Sequence, residues 1–445
     1  MKVDRLPHAP GPAAWNAILP PASPYPACDG ALTADVVIVG GGFAGLAAAR
    51  RLHQLAPDLR IVVLEARRIA EGPAGRNSGF MIDLPHHLSS ADYAGAIEGD
   101  KQQTRANRHA INFAKLAAED YGMPEEAFRP VGKINAAATE KGHHHNRDYA
   151  AHLKTLSEPC ELLDGDAMHE VCGSHYYLSG LFTPGTAMLQ PALYARCLSA
   201  GLQQSGVAIF EDSPVVEFQR DGGGGWTAIT PAARISAGNL ILTVNGHIES
   251  FGYLKRRLMH IYLFASMTRA LTNDEALRLG GTPNWGFTPS DPMGTTMRRI
   301  SGSSGDRIVV RNGVAWAPGR SVSDGRAARV YARHGGSLRA RFPSLKDVDL
   351  QYQWGGLLCL SRNDGPAFGE LDAGVFSACC QNGLGAARGT LHGILAAEQM
   401  VGHGSELLEQ TLAQPEPNRL PPEPLASIGA TAVMRWQEYR AGAEV

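Results

Sequence analysis

The feature that most constrains this chain is a strand, a glycine turn and a helix that together precede a second strand. In order, the parts are a β-branched strand at 36–39, the glycines Gly40, Gly42 and Gly45, a helical run at 46–52, an apolar strand at 61–64 and Glu65. A lone Gly-x-Gly-x-x-Gly is weak evidence, but the whole series in this order is typical of a dinucleotide-binding βαβ unit. The sequence therefore predicts an α/β fold with a Rossmann-type parallel sheet.

Each part of the unit has a physical task. Gly40 allows the tight turn, Gly42 lets the backbone approach a pyrophosphate, and Gly45 lets the helix pack close to the sheet. The helix N-terminus offers free N–H groups to the phosphates. Glu65, twenty residues after Gly45, can accept hydrogen bonds from ribose hydroxyls.

Composition limits the class of protein. The chain has 445 residues, of which 44% are apolar and 19% charged, and a formal net charge of -2. It is long enough for two or three domains, and its charge suggests neither a nucleic-acid partner nor an anionic membrane surface. Seven cysteines without a C-x-x-C pair indicate a reducing compartment. Without a signal peptide or an apolar run of about 18 residues, we expect a cytoplasmic protein.

The order of strand and helix patterns predicts a discontinuous dinucleotide domain. We expect an irregular N-terminal arm at 1–33, a first domain formed by 34–85, 192–250 and 355–412, a strand-rich α+β substrate domain formed by 86–191 and 251–354, and a C-terminal tail at 413–445 that packs on the first domain. The alternation of apolar and polar residues within 258–354 is the evidence for the second sheet.

Two further glycine-rich segments can contact an extended ligand. The first follows Glu65 directly and contains Gly75, Arg76, Asn77 and Ser78. Arginine and exposed backbone N–H groups there can meet phosphate or flavin atoms. The second is a strand, glycine turn and helix around 383–385, whose helix N-terminus can stabilise negative charge on a ligand.

The candidate substrate contacts lie in the strand-rich part. Arg298 or Arg299 and Arg311 could clamp an anion, with His260 as a polar partner. Adjacent strand residues face opposite sides, so at least one of Arg298 and Arg299 points away from any site. The run 143–145 of three histidines has no further ligand at useful spacing, and we interpret it as an exposed helix face rather than a metal site.

These segments resemble the FAD-dependent D-amino-acid oxidase, glycine oxidase and sarcosine oxidase superfamily, and within it the gamma-glutamylputrescine oxidase-like proteins. The resemblance rests on 37–46, 63–69, 75–79, Trp354-x-Gly356, 360–362 and the turn at 382–385, and it is colinear over about 28–440. It implies non-covalent FAD. The residues implied to hold FAD are Gly40, Gly42, Phe43, Ala44, Gly45, Glu65, Ala66, Arg68, Gly75, Arg76, Asn77, Ser78, Val215, Gly383, Leu384 and Gly385.

The resemblance also implies the chemistry. An amine or amino acid would pass a hydride to flavin N5, and the imine would then hydrolyse; oxygen, a quinone or a redox protein would take the electrons. Two alternatives stay open: a flavin oxidase of 2-hydroxy acids, for which His260 is the candidate base, and a flavin-holding subunit of a larger dehydrogenase complex. Gln190 and Leu384 stand where the nearest relatives have histidine.

Overall fold

The computed structural model describes residues 1–8, 11–85 and 95–445. Residues 9–10 of the expected arm and 86–94 of the expected substrate domain lie outside this description. The helices are α1 Ala14–Ala17, α2 Phe43–Leu55, α3 Ile97–Asp120, α4 Glu140–Thr155, α5 Gly165–Cys172, α6 Pro191–Gln204, α7 Asn273–Leu279, α8 Asp324–Arg341, α9 Gly385–Val401, α10 Glu406–Leu412 and α11 Leu425–Ala441.

The strands alternate with these helices along the chain. They are β1 Gly30–Val39, β2 Ile61–Leu64, β3 Phe80–Met81, β4 Phe128–Arg129, β5 Lys133–Ala137, β6 Glu161–Asp164, β7 Ser179–Thr183, β8 Ala187–Leu189, β9 Ala208–Phe210, β10 Glu217–Arg220, β11 Trp226–Ile229, β12 Ala233–Leu242, β13 Leu258–Met267, β14 Trp285–Pro289, β15 Thr296–Gly302, β16 Gly305–Trp316, β17 Tyr352–Ser361, β18 Ala367–Asp372 and β19 Val375–Cys379.

The first sheet contains the predicted βαβ unit. Its order is β10-β11-β12-β1-β2-β9, and β19 pairs with β12 and with β18. β1 runs parallel to both β12 and β2, and β2 runs parallel to β9. The strand residues Val36, Val37 and Ile38 are fully buried, as expected where helices cover a parallel sheet. The predicted α/β fold with a Rossmann-type sheet is confirmed.

The second sheet is mostly antiparallel and carries the strand-rich region. Its order is β17-β13-β16-β15-β14-β5-β7-β6, and the β14–β5 pair is parallel. All of β17 belongs to this sheet, so the domain boundary expected at residue 355 falls inside a strand. A smaller sheet has the order β3-β8-β4.

The two ends of the chain reach different parts of the molecule. In the N-terminal arm, Trp15 is fully buried and donates from Nε1 to Asn77 O at 2.8 Å. In the C-terminal tail, α11 lies against β16, where Trp316 Nε1 donates to Ser427 Oγ at 2.8 Å. Backbone N–H groups of Ala138 and Thr139 donate to the Glu444 carboxylate. The expectation that this tail packs on the first domain does not hold for its helix α11, which packs on the second sheet. The start of the tail does reach the expected first domain, since Asn363 Nδ2 donates to Glu416 O at 2.9 Å.

Two other sequence expectations concern helices. The three histidines at 143–145 lie in α4, and His143 Nδ1 is 2.9 Å from Ser179 Oγ. Among the described residues, no helix combines the length and the apolar character needed to cross a membrane.

Candidate functional site

A cavity of about 1390 Å³ runs from the glycine turn of the first sheet to the strands of the second. This exceeds the roughly 300–1,000 Å³ of drug-sized ligand pockets, so the cavity can accept a dinucleotide together with a small substrate. The expected FAD residues that line it are Gly40, Gly42, Phe43, Ala44, Glu65, Ala66, Arg76, Asn77, Ser78, Val215, Gly383, Leu384 and Gly385.

The three motif glycines are required for different reasons. A Cβ on Gly45 would lie 1.9 Å from Gly40 O, and one on Gly40, at φ +108°, would lie 2.9 Å from Thr243 Oγ1. Gly42 has extended backbone that any residue adopts (φ -87°, ψ -169°), and a Cβ there would meet only Ala74 Cβ at 3.7 Å. Protein packing thus explains Gly40 and Gly45, whereas the need for glycine at 42 comes from the cavity side. This fits a pyrophosphate held against the N-terminus of α2.

Glu65 helps to hold the turn in place. Its Oε2 accepts from Gly41 N at 2.8 Å and its Oε1 accepts from Arg67 N at 3.0 Å. Burial raises the pKa of this carboxyl, while the two backbone donors lower it. A carboxylate has about four acceptor sites, so Glu65 retains the capacity to accept from ribose hydroxyls.

The loop after β2 is held by its carbonyl groups. Three consecutive carbonyls accept hydrogen bonds from three separate regions: Arg76 O from Trp354 Nε1 at 3.0 Å, Asn77 O from Trp15 Nε1 at 2.8 Å and Ser78 O from Arg298 Nη1 at 2.8 Å. Within a peptide unit the C=O and the next N–H point in opposite directions. The N–H groups of Asn77 and Ser78 therefore point away from the two tryptophans, and both residues line the cavity, where these groups can donate to a bound flavin.

Arg76 contributes to the loop mainly as a structural brace. Its Nε donates to Gly355 O at 2.5 Å and its Nη1 to Gly11 O at 2.8 Å. Burial lowers the pKa of its guanidinium. The side chain thus links the loop to β17 and to the N-terminal arm.

The glycine turn before α9 forms another wall of the cavity. Asn382 (φ +47°) and Gly383 (φ +91°) are left-handed, and the Asn382 Oδ1 accepts from Ser361 N at 2.7 Å. A helix follows the turn, as the sequence predicted, but α9 begins at Gly385 rather than at about Thr390. Arg388, one turn into α9, also lines the cavity, and within the described residues its guanidinium has no hydrogen bond or ion pair. Sequence reasoning missed Arg388, although its place three residues after Gly385 was a usable signal.

Three expected FAD residues do not line the cavity. Gly45 and Gly75 act through packing, because a Cβ on Gly75 would lie 1.9 Å from Ala70 O. Arg68 is half exposed, and its Nε lies 3.8 Å from Asp212 Oδ2. The neighbouring residues Ala66 and Arg67 line the cavity, so Arg68 lies beside its wall, and its contact with FAD stays a prediction.

Neither Arg298 nor Arg299 lines the cavity, so both are wrong as substrate contacts. Arg298 is buried, donates also to Leu189 O at 2.9 Å, and lies over the rings of Trp15 and Phe80 at 5.3 and 5.4 Å. Burial lowers the pKa of its guanidinium to about 9. Arg299 is buried on the other face, where its Nη2 lies 2.6 Å from the half-buried carboxylate of Asp306.

Arg311 does line the cavity. Residues two apart on a strand share a face, so Thr296 lies on the same face of β15 as Arg298, which reaches the Ser78 carbonyl. Thr296 pairs with Arg311 on β16. Arg311 is therefore on the cofactor side of the second sheet, in the part of the cavity that we call the chamber: Arg311, Thr288, Thr296, Met293, Val314 and Trp316, with the inner face of α11.

His260 lines the cavity but is already paired. Its Nε2 is 2.7 Å from Glu249 Oε2, and a Cβ on Gly246 would lie 2.9 Å from its ring. Arg320 Nη2 also approaches Glu249 at 3.6 Å. The pKa of Glu249 is lowered: burial opposes the shift, and the His260 and Arg320 contacts cause it.

Sequence reasoning also missed the chamber's α11 wall. Leu425, Ala426, Gly429, Val433 and Gln437 line the cavity, at spacings of one helical turn. A tail helix of alanines, glycines and a few large residues gives no motif that would have indicated this. Gln190, by contrast, caps α6 and donates to Trp15 O at 2.8 Å. The presence of glutamine at this position, where the sequence resemblance implies histidine, therefore affects the N-terminal arm rather than the chamber.

The fold and the cleft agree with the comparisons to known proteins. The family described as "FAD dependent oxidoreductase" (DAO) matches residues 35–399, and the chain belongs to this family. It is thus an FAD-dependent oxidoreductase, as the sequence predicted. The glycine turn at 40–45, the loop at 76–78 and Glu65 fit that cofactor.

The individual relatives are more distant. The chain is 25% identical over 389 residues to the probable oxidoreductase OrdL of Haemophilus influenzae, covering 84% of each. It is 25% identical over 401 residues to gamma-glutamylputrescine oxidoreductase of Escherichia coli, covering 85% of this chain and 86% of that protein. The structure resembles glycine oxidase from Geobacillus kaustophilus with a TM-score of 0.70 at 17% identity, covering 88% of this chain and 100% of that chain. The predicted family resemblance is confirmed.

Proposed function

We propose that the protein oxidises the C–N bond of an amine or amino acid that carries an anionic group. Bound FAD would supply the acceptor for a hydride at flavin N5, and the imine product would hydrolyse in water. The names of two similar proteins, gamma-glutamylputrescine oxidoreductase and glycine oxidase, support amine chemistry, since gamma-glutamylputrescine and glycine are both amines.

The single observation that carries the substrate proposal is Arg311 on the cofactor side of the second sheet. Its guanidinium can pair with a carboxylate in two parallel hydrogen bonds, which fixes orientation as well as position. The rest of the chamber wall is largely apolar, with Met293, Val314, Trp316 and α11. This arrangement favours a substrate with an anionic end and an aliphatic segment.

The protein's own task is then mainly to position the substrate. The loop at 76–78 and the turn at 383–385 orient the ring, the cation at Arg311 orients the substrate, and the apolar wall excludes water. Arg388 adds a positive charge one turn into α9, where it favours electron density on the bound ring.

The 2-hydroxy-acid alternative needs a base for the hydroxyl proton. His260 was its candidate, but its Nε2 is engaged by Glu249 at 2.7 Å and its ring is packed against Gly246. The amine reaction requires no such base because a neutral amine supplies its own lone pair.

Anaerobic bleaching of the purified yellow protein tests the proposal. We expect loss of the flavin absorbance near 450 nm with an amino acid, an N-substituted amino acid or an ω-amino acid, and no loss with the matching 2-hydroxy acids. Bleaching by hydroxy acids alone would overturn the proposal in favour of a hydroxy-acid oxidase. If none of these compounds bleaches the flavin until a copurifying partner is added, the subunit alternative replaces it.

A further inference from the structure

The C-terminal helix α11 carries its largest apolar side chains on the outside. Leu425, Ile428, Trp436 and Tyr439 are 63%, 64%, 58% and 85% exposed. At 3.6 residues per turn these four side chains fall within an arc of roughly 80°. The inner face instead presents small residues such as Ala426 and Ala430. This is the reverse of an ordinary surface helix, whose apolar stripe faces the core.

Basic side chains border this apolar arc. Arg435 and Arg440 flank it on α11, and both are exposed. The neighbouring helix α8 adds Arg326, Arg329 and Arg333. The acidic residues near them are Asp324, Glu423 and Glu438, and Glu438 pairs with Arg333 at 3.3 Å. The face therefore has an excess of positive charge, although the net charge of the whole chain is -2.

The arginines also act on one another. The pKa of Arg326 is lowered, first by burial and then by Arg435, Arg329 and Arg333, against the opposing effect of Glu438. Like charges held this close raise the free energy of the isolated protein. An anionic surface that covers the face would remove this repulsion.

We propose that the outer face of α11, together with the arginines of α8, docks onto the surface of an anionic lipid bilayer. Exposed Leu, Ile and Trp in one arc between arginines are the composition of helices that lie in the membrane interface. The apolar side chains enter the acyl boundary, and the arginines remain at the level of the anionic headgroups.

Charge and continuity favour a bilayer over the other possible occupants. A second copy of the chain on a twofold axis would bring the same arginines together. An acidic protein could pair with the arginines, but it would not explain why the apolar surface continues into the cavity. Leu425 belongs to the outer arc and Val433 lies between the arc and the inner face; both are exposed and both line the chamber, so the apolar surface continues from the outer arc into the cavity. A bilayer docked here would adjoin the chamber mouth.

Vesicle co-sedimentation of the full FAD-loaded chain tests this. The vesicles are phosphatidylcholine alone, or phosphatidylcholine with about one-third phosphatidylglycerol, at low and at high salt. We expect binding to the anionic vesicles at low salt, weaker binding at high salt and little binding to neutral vesicles. Absence of binding to anionic vesicles would overturn the proposal.

Variants localise the binding. Arg435→Gln with Arg440→Gln should weaken binding to anionic vesicles by about 25-fold, because each basic residue near such a surface contributes about fivefold. Trp436→Ser should weaken it further. The matched controls are Arg147→Gln on α4 and Leu277→Ser on α7, both exposed, which should bind like the parent chain. Circular dichroism and flavin content verify that each variant is folded.

Three results would contradict the proposal. The controls could weaken binding as much as the α11 variants, which would place the contact elsewhere. Polyglutamate could bind while the vesicles do not, which would point to an acidic protein. Analytical ultracentrifugation could show a dimer that Trp436→Ser dissociates, which would assign the face to a second copy.

Discussion

The cofactor cleft and the substrate chamber lie side by side in one cavity, but they are built in different ways. The cleft consists largely of backbone held at fixed positions: a glycine turn in which packing leaves no room for a Cβ at Gly40 or Gly45, and three successive carbonyls that accept from Trp354, Trp15 and Arg298. The chamber consists of side chains on strands and on α11. A site made of backbone requires glycines at fixed spacings, which are recognisable in a sequence. A surface made of side chains can be built from many different residues and has no such motif. The cofactor could thus be deduced early and the substrate could not.

The largest expected effect distinguishes packing from ligand binding within the cleft. Gly45→Ala places a Cβ 1.9 Å from Gly40 O, a backbone clash that side-chain movement cannot relieve, so we expect no folded yellow protein. Gly42→Ala has only Ala74 Cβ at 3.7 Å to meet. This variant should fold with the parent's apoprotein melting temperature but bind FAD at least about tenfold more weakly, because the methyl group enters the pyrophosphate's space.

Thermal unfolding and FAD titration of the two variants provide the check. An apoprotein of Gly42→Ala that is as unstable as that of Gly45→Ala would show that both glycines serve packing alone. Gly42 would then be a packing residue like Gly45, not a residue that makes room for the pyrophosphate.

The next effect uses the neighbours Arg298 and Arg299 as a matched pair. Arg299→Met leaves the half-buried carboxylate of Asp306 without its partner, which should reduce the free energy of unfolding by up to roughly 3 kcal/mol, the lower end of the range for a fully buried pair. Arg298→Met leaves the Ser78 and Leu189 carbonyls without a donor, at roughly 1–3 kcal/mol each. Only Arg298→Met should also weaken FAD binding, since Arg299 lies on the face away from the loop.

Urea unfolding and FAD titration separate the two consequences. An equal loss of FAD affinity in both variants would mean that either substitution disturbs the loop through the strand as a whole, whichever face its side chain is on. The assignment of Arg298 to the loop would then fail.

A smaller effect concerns acid stability on the chamber side. His334 is buried, accepts at Nδ1 from Ser266 Oγ at 2.7 Å and donates from Nε2 to Asn312 O at 3.2 Å. Burial, against the opposing Asn312 carbonyl and with the help of Arg333 and Arg311, lowers the pKa of His334 to about 4. In the unfolded chain this histidine therefore binds a proton below about pH 6.5, whereas in the folded protein it binds one only below about pH 4.

Stability from this group is complete above pH 6.5 and is lost as the pH falls towards 4. At pH 5 the loss is roughly 2 kcal/mol relative to pH 7.5. His334→Gln should remove this part of the pH dependence, as measured by urea unfolding at the two pH values. The contradicting result is a variant whose stability falls between them as steeply as the parent's.

The parts of the fold and of the site that the sequence predicts are those built from backbone, and the parts that it does not predict are those built from side chains. The β1–α2–β2 unit, Glu65, the loop at 76–78 and the turn at 383–385 were deduced because each combines glycine conformation with a fixed spacing. Arg298 and Arg299 could not be separated, since strand alternation says that they differ in direction but not which one faces the cavity. The position of α11 was missed because it depends on contacts with β16 and on the hydrogen bonds from the backbone of 138–139 to Glu444, all between residues far apart in the chain. The role of Gln190 could not be predicted because its partner, the Trp15 carbonyl, lies 175 residues away.

The most direct test of the account is the reductive half-reaction of the parent chain and of Arg311→Met. Stopped-flow absorbance under anaerobic conditions yields the substrate Kd and the limiting rate of flavin reduction. With an anionic amine substrate, loss of the charge-assisted pair should raise Kd about 10- to 100-fold, while the flavin spectrum and FAD content remain those of the parent. With a matched neutral amine, Kd should not differ between the two proteins. An unchanged Kd for the anionic substrate would remove Arg311 from the chamber and contradict the account.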